Sequence, residues 1–106
     1  MKTTNAILLT IIAEDELEGR LIADLKKLGV RGYTVCTVRG EGGHGLRASQ
    51  WEGKNIKIEV IVDSELADAI GDHVAKAYFP HFATILYLLP AQVIREEKFS
   101  KPGHPG

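Results

Sequence analysis

Apolar positions along this chain follow two different periods, and each change of period marks a new element. The first run, Ala6-Ile7-Leu8-Leu9-Thr10-Ile11-Ile12-Ala13, is broken only by Thr10 and ends in acid, as a buried strand does. Over residues 14–28 the spacing lengthens: Leu17, Leu21, Leu25 and Leu28 recur at steps of four, four and three, on one face of a helix. Both ends of that helix agree. Glu14, Asp15 and Glu16 crowd the first turn, Lys26 and Lys27 sit in the last, and Gly29 stands where a left-handed cap belongs. Residues 33–39, Tyr-Thr-Val-Cys-Thr-Val-Arg, read as a second strand, and Ile56, Ile58, Val60 and Val62 alternate with Lys57 and Glu59 in a third. A long glycine-rich loop joins these two. Asp63 and Ser64 are the candidate N-caps of a second helix, in which Leu66, Ile70, Val74 and Ala77 share a face until Pro80 stops it. Residues 82–89 read as the last main strand.

The order βαββαβ predicts an α+β fold, a ferredoxin-like sandwich with both helices on one face of a four-stranded antiparallel sheet. The chain is expected to be a single domain over residues 1–106, with a Pro- and Gly-rich tail, about 98–106, that frays. The open face of such a sheet ought to alternate to polar if it met water. It does not: the first strand is apolar on both sides except at Thr10, and the last sets Ala83, Ile85, Tyr87 and Leu89 against Leu86 and Leu88. With no sequence left to cover that face, the expected cover is another copy of the chain.

Composition narrows the function classes. Thirteen Lys and Arg against fourteen Asp and Glu give a formal charge of −1, so no bulk field draws the chain to nucleic acid or an acidic membrane, and any anion site is local. The single cysteine, Cys36, excludes an internal disulfide framework and suits a reducing compartment; alternating within a strand, it reads as a small core residue. Lys2 and the apolar run after it imitate a signal peptide, but Glu14 to Glu16 follow with no small-x-small site. Eight residues also fall short of the about 20 that span a bilayer as a helix. A cytoplasmic location without membrane insertion is expected.

Several motifs compete. Gly40-Glu41-Gly42-Gly43-His44-Gly45 satisfies G-x-G-x-x-G, but that fingerprint must open a helix to place a pyrophosphate at its N-terminus, and here a strand comes next. The loop reads instead as permissive backbone that can wrap a phosphate, with Arg39 and Arg47 bracketing it. Arg31-Gly32-Tyr33 begins like the RNA-binding RNP1 octamer, then gives Val35 and Val38 where stacking aromatics belong. His44, His73, His81 and His104 show no i, i+4 pairing and no neighbouring Cys, so they read as solvated surface rather than metal ligands. No catalytic triad is visible. Trp51 lies in the glycine-rich loop and serves either to anchor a partner or to pack on the body of the protein.

Two stretches carry a family resemblance: Gly32-Tyr33-Thr34-Val35 leading into the loop and Arg47, then Asn55-Ile56-Lys57-Ile58-Glu59-Val60. Together with Tyr78-Phe79 before the last strand and Ala91-x-Val93 after it, they resemble the PII-like signal-transduction proteins linked to bicarbonate uptake and carboxysomes. The resemblance covers residues 5 to about 95. It implies a homotrimer whose long loop, here about 39–55, is the T-loop, and a non-enzymatic regulator that binds ADP or AMP between subunits, with or without bicarbonate. It would set Thr34 and Val35 against the nucleotide and Arg47 on its phosphate. Ala83, Thr84 and Ile85 of the neighbouring subunit would supply adenine contacts, largely through backbone. Glu41, His44 and Trp51 would belong to a loop that meets a protein partner, such as a bicarbonate transporter or a carboxysome-related protein. The resemblance departs at Glu41 and His44, where transporter-binding members carry Lys and Arg, and no Cys-Gly-Pro-x-x-Cys tail is present. Tyr78-Phe79-Pro80-His81-Phe82 replaces the Thr-Gly-x-x-Gly-Asp-Gly-Lys loop of the nitrogen-regulatory members, so ATP plus 2-oxoglutarate sensing is not implied. Two other readings stay open: a CutA-like trimer binding divalent metal through its histidines, and a weak nucleotide hydrolase with Glu41 or Glu59 as base.

Overall fold

In the computed structural model, which describes residues 1–40 and 54–94, β1 (Thr4–Glu14) lies inside a four-stranded antiparallel sheet of order β2-β3-β1-β4. Its neighbours are β3 (Asn55–Val62) and β4 (Ile85–Val93), while β2 (Thr34–Val38), among the described residues, pairs only with β3 and forms the other edge. Helices α1 (Glu18–Leu28) and α2 (Ser64–Ala77) complete the α+β fold expected from the order of the elements.

Register decides what each side chain meets. Ile7, Leu9, Ile11 and Ala13 of β1 stand opposite Val62, Val60, Ile58 and Ile56 of β3. These residues, with the leucine stripe of α1 and Ala67, Ile70 and Val74 of α2, make the core between sheet and helices. The predicted helix caps are present. Gly29 takes φ 110°, and the N–H groups of Gly29 and Val30 bond the carbonyls of Lys26 and Leu25 at 3.1 and 3.0 Å, the pairing that closes a helix through a left-handed residue. Asp63 caps α2, its Oδ1 accepting from Leu66 N–H at 2.8 Å.

Three expectations change. The first strand runs on through Glu14, which is buried opposite Asn55, and a 3-10 turn at Asp15–Leu17 precedes α1, because pairing with β3 holds the chain extended for one more residue. β4 starts at Ile85 rather than at 82: the N–H groups of His81 and Phe82 both bond the Tyr78 carbonyl, so the chain is still turning there. It then runs through Pro90, which an edge strand accommodates because one of its two rows of backbone groups bonds no neighbour. Cys36 is exposed rather than a core residue, since alternation along β2 turns Val35 to the core and Cys36, opposite Lys57, to the other face.

The helix-free face is two surfaces in one. Toward β2 it carries Lys57 and Glu59, whose charged groups are 3.9 Å apart. Toward β4 it carries Leu8, Ile12, Ile85, Tyr87 and Leu89, the last three 44, 41 and 51% exposed. Thr10 lies between Glu59 and Tyr87 in register, fully buried, with no hydrogen-bond partner for its hydroxyl among the described residues. No helix among the described residues is long and apolar enough to cross a membrane.

Candidate functional site

The nucleotide-site residues named from the sequence fall into two groups at opposite edges of the sheet. Thr34 opens β2 with its side chain on the helix-free face opposite Glu59, whereas Val35 points the other way and packs against the core. Arg39 follows the strand directly and is exposed. Ala83 and Thr84 immediately precede β4, and Ile85 is its first residue. Ile85, Ile12, Lys57 and Cys36 form one row across the sheet, so the two groups sit at the same end of it but three strand spacings apart, roughly 14 Å. Within one copy of the chain the two groups therefore do not adjoin. Arg47, Glu41, His44 and Trp51 lie outside the described residues.

The β4 edge has the chemistry of a backbone binding site. An edge strand offers N–H and C=O groups that no neighbouring strand uses. Adenine, with an amino donor beside a ring acceptor, complements such a pair. Thr84 holds its own N–H to the Phe82 carbonyl at 2.9 Å, and its hydroxyl is buried without a hydrogen-bond partner among the described residues. A buried hydroxyl left in this way is costly, by about 1–3 kcal/mol, and gains from any ligand that satisfies it.

A second constellation, which sequence reasoning missed, lies on the helix side. Asp24 of α1 accepts two hydrogen bonds on one oxygen, from the Tyr78 hydroxyl at 2.5 Å and His73 Nε2 at 2.9 Å. Arg20 places its guanidinium 4.6 Å from the centre of the Tyr78 ring and 5.8 Å from that of Phe82. Burial opposes ionisation of Asp24, but the bonds from Tyr78 and His73 and the nearby cationic groups outweigh it and hold the carboxyl below its ordinary value. Burial, then the hydrogen bond and charge of Asp24, push the Tyr78 phenol far above its ordinary range, so it stays a donor. His73 is thus a partner of Asp24 rather than a merely solvated surface group. The residues are 49 and 54 positions apart, so no local spacing signals their meeting.

Glu59, one of the two bases considered for hydrolysis, is the ion-pair partner of Lys57. Among the described residues no three His, Cys, Asp or Glu side chains gather as a metal site.

The family described as Nitrogen regulatory protein P-II matches residues 6–98. A PII-like signaling protein from Thermus thermophilus is 44% identical, superposes with a TM-score of 0.79, and matches 93% of this chain and 99% of its own. CPII from Thiomonas intermedia, bound to ADP, AMP and acetate, is 25% identical with a TM-score of 0.81 over 93% of this chain and 98% of that one. The same protein bound to ADP and bicarbonate is 27% identical, with a TM-score of 0.80 over 92% and 97%.

Proposed function

The chain belongs to the nitrogen regulatory protein P-II family and is a PII-like regulatory protein, and on that premise we propose that it senses ADP or AMP, together with bicarbonate, as a non-enzymatic homotrimer. The observation that carries this reading is the separation of the two candidate half-sites to opposite sheet edges, a placement that fits a cleft completed by a neighbouring copy. The apolar half of the helix-free face supplies the surface for that copy. Similarity over nine-tenths of the chain to CPII with ADP and bicarbonate bound supports the choice of ligands.

In this reading Thr34 and Val35 of one subunit line the cleft, the side chain of Thr34 and the edge backbone facing it, while Arg39 and Arg47 supply cationic groups for the phosphates. Ala83, Thr84 and Ile85 of the next subunit hold the adenine through the β4 edge. The loop of residues 39–55 is the output. A ligand shifts such a loop only by binding one of its conformations more tightly than the other, so contact between loop and phosphate is the step that converts occupancy into signal. Glu41, His44 and Trp51 then meet a protein partner, a bicarbonate transporter or a carboxysome-related protein of the cytoplasm.

Titration calorimetry with AMP, ADP, cyclic AMP and ATP, with and without bicarbonate, tests the reading. Binding of ADP or AMP, altered by bicarbonate, is expected. Heat from none of the four nucleotides overturns it, and slow conversion of a bound nucleotide would restore the hydrolase reading.

A further inference from the structure

The helix-side cluster of Arg20, Asp24, His73, Tyr78 and Phe82 connects directly to the segment that precedes β4. Tyr78 is fully buried at the end of α2, with its hydroxyl on Asp24 of α1. Its carbonyl accepts the N–H groups of His81 at 3.0 Å and Phe82 at 2.9 Å. The Phe82 carbonyl accepts Thr84 N–H at 2.9 Å, and Ile85 then enters the sheet opposite Ile12. The rings reinforce the backbone: Phe82 lies 6.1 Å from Tyr78 between centroids, and the Arg20 guanidinium spans both. An unbroken series of contacts thus runs from a carboxylate on α1 to the residues beside the β4 edge.

We infer that this cluster is a latch that holds Ala83, Thr84 and Ile85 in the conformation that receives the ligand, which makes Asp24 and Tyr78 positioning residues for nucleotide binding. The inference rests on the nucleotide reading given above. Its physical basis is the one-sidedness of the bond. A buried phenol needs an acceptor, and Asp24 is the acceptor it bonds; loss of the acceptor leaves a desolvated hydroxyl, and loss of the hydroxyl unties the Tyr78 ring from α1 while His73 still bonds the carboxylate, so either change frees the Tyr78 end of the turn. Phe79 and His81 are exposed, and the backbone bonds of the turn 79–84 converge on the carbonyls of Val74, Tyr78 and Phe82, so its placement follows that of the Tyr78 end. A cluster that served only to fasten α1 to α2 would change melting temperature and leave the turn and the ligand alone. His73, 37% exposed, bonds Asp24 from the solvent side, so its loss leaves the Tyr78 bond in place.

The test uses the full chain as Tyr78→Phe, Asp24→Leu and His73→Gln, at a temperature where circular dichroism shows each one folded. Tyr78→Phe keeps the ring and its packing, so it carries the test if Asp24→Leu does not fold. Hydrogen exchange over residues 79–85 without ligand and ADP affinity by calorimetry are read together. In Tyr78→Phe and Asp24→Leu, which leaves the phenol without an acceptor, exchange across the turn should quicken, and ADP affinity should fall about tenfold, as the loss of one such bond implies. His73→Gln should stay within about twofold of wild type. Unchanged exchange in Tyr78→Phe overturns the latch, and so does faster exchange at wild-type affinity. A wild-type chain that binds no ADP defeats the nucleotide reading itself, whereas normal wild-type binding with undiminished binding by Tyr78→Phe defeats the latch alone.

Discussion

Arginine differs from every other phosphate donor in offering two parallel, charge-assisted hydrogen bonds from one planar group, which a backbone N–H cannot match. If Arg47 is the phosphate ligand, Arg47→Ala should weaken ADP binding by roughly ten- to several-hundred-fold, and calorimetry that finds equal affinity would remove it from the site. Asp24 makes a different test, through acid. Its folded carboxyl titrates below the ordinary 3.8, so its contribution to stability is present above that value and is lost as the pH falls through the folded value. Wild-type stability should therefore decline over that acid range by more than that of Asp24→Asn, as denaturant midpoints read in steps below pH 5 would show. Equal slopes would mean that the Tyr78 and His73 bonds do not favour the charged form. Residues of this kind separate what a sequence displays from what it conceals. Asp63 and Gly29 act on backbone within four residues of themselves, so their roles are written locally. Asp24 and Tyr78 meet only because two helices dock, and nothing near either one announces the other.

Among the elements, the helices were legible because a leucine stripe with capped ends has few other solutions, while the last strand shifted by three residues at its start. Phe82, Ala83 and Thr84 have strand-like composition, but two bonds to the Tyr78 carbonyl keep the chain turning until Ile85. The strand also runs on past 89 through Pro90, which only an edge strand can carry, and composition does not say which strand is at the edge. The close of α1 offers a direct check on such reasoning. Gly29 sits at φ 110° with open space where a Cβ would stand, so Gly29→Ala meets no clash and bears only the backbone penalty. Chemical denaturation should show a loss of about 1 kcal/mol; no loss would mean that the helix end refolds around alanine. For the loop, Trp51 is the single tryptophan of the chain and a local reporter. Saturating ADP or AMP should alter its fluorescence if the loop is the output, and an unchanged emission spectrum with hydrogen exchange also unchanged over residues 39–53 would rule that out.

At the scale of the whole molecule, the order of elements made the α+β sandwich legible, and the two-sided apolarity of the first and last strands marked a face in need of cover. Which side of that face is apolar could be read only from the register. Ile85, Tyr87 and Leu89 project beside Leu8 and Ile12, with Ile61 of β3 opposite Leu8, while Lys57 and Glu59 occupy the β2 side, so a second copy covering the apolar part would meet chiefly the β1 and β4 half. In the proposed trimer that matters for function, because a neighbour seated there would lie beside the β4 edge and could complete the cleft with its own β2 edge. Assembly and ligand binding should accordingly fail together. Leu89→Asp sets a charge at the most exposed of those three β4 residues, where burial against a second copy would strip its water without supplying a partner. Light scattering should give three times 11.6 kDa for the wild type and a smaller mass for the variant, with circular dichroism unchanged and ADP binding lost. A wild-type mass of 11.6 kDa at micromolar concentration would refute the trimer, and a monomeric variant that still bound ADP at wild-type affinity would show that one copy of the chain holds the whole site.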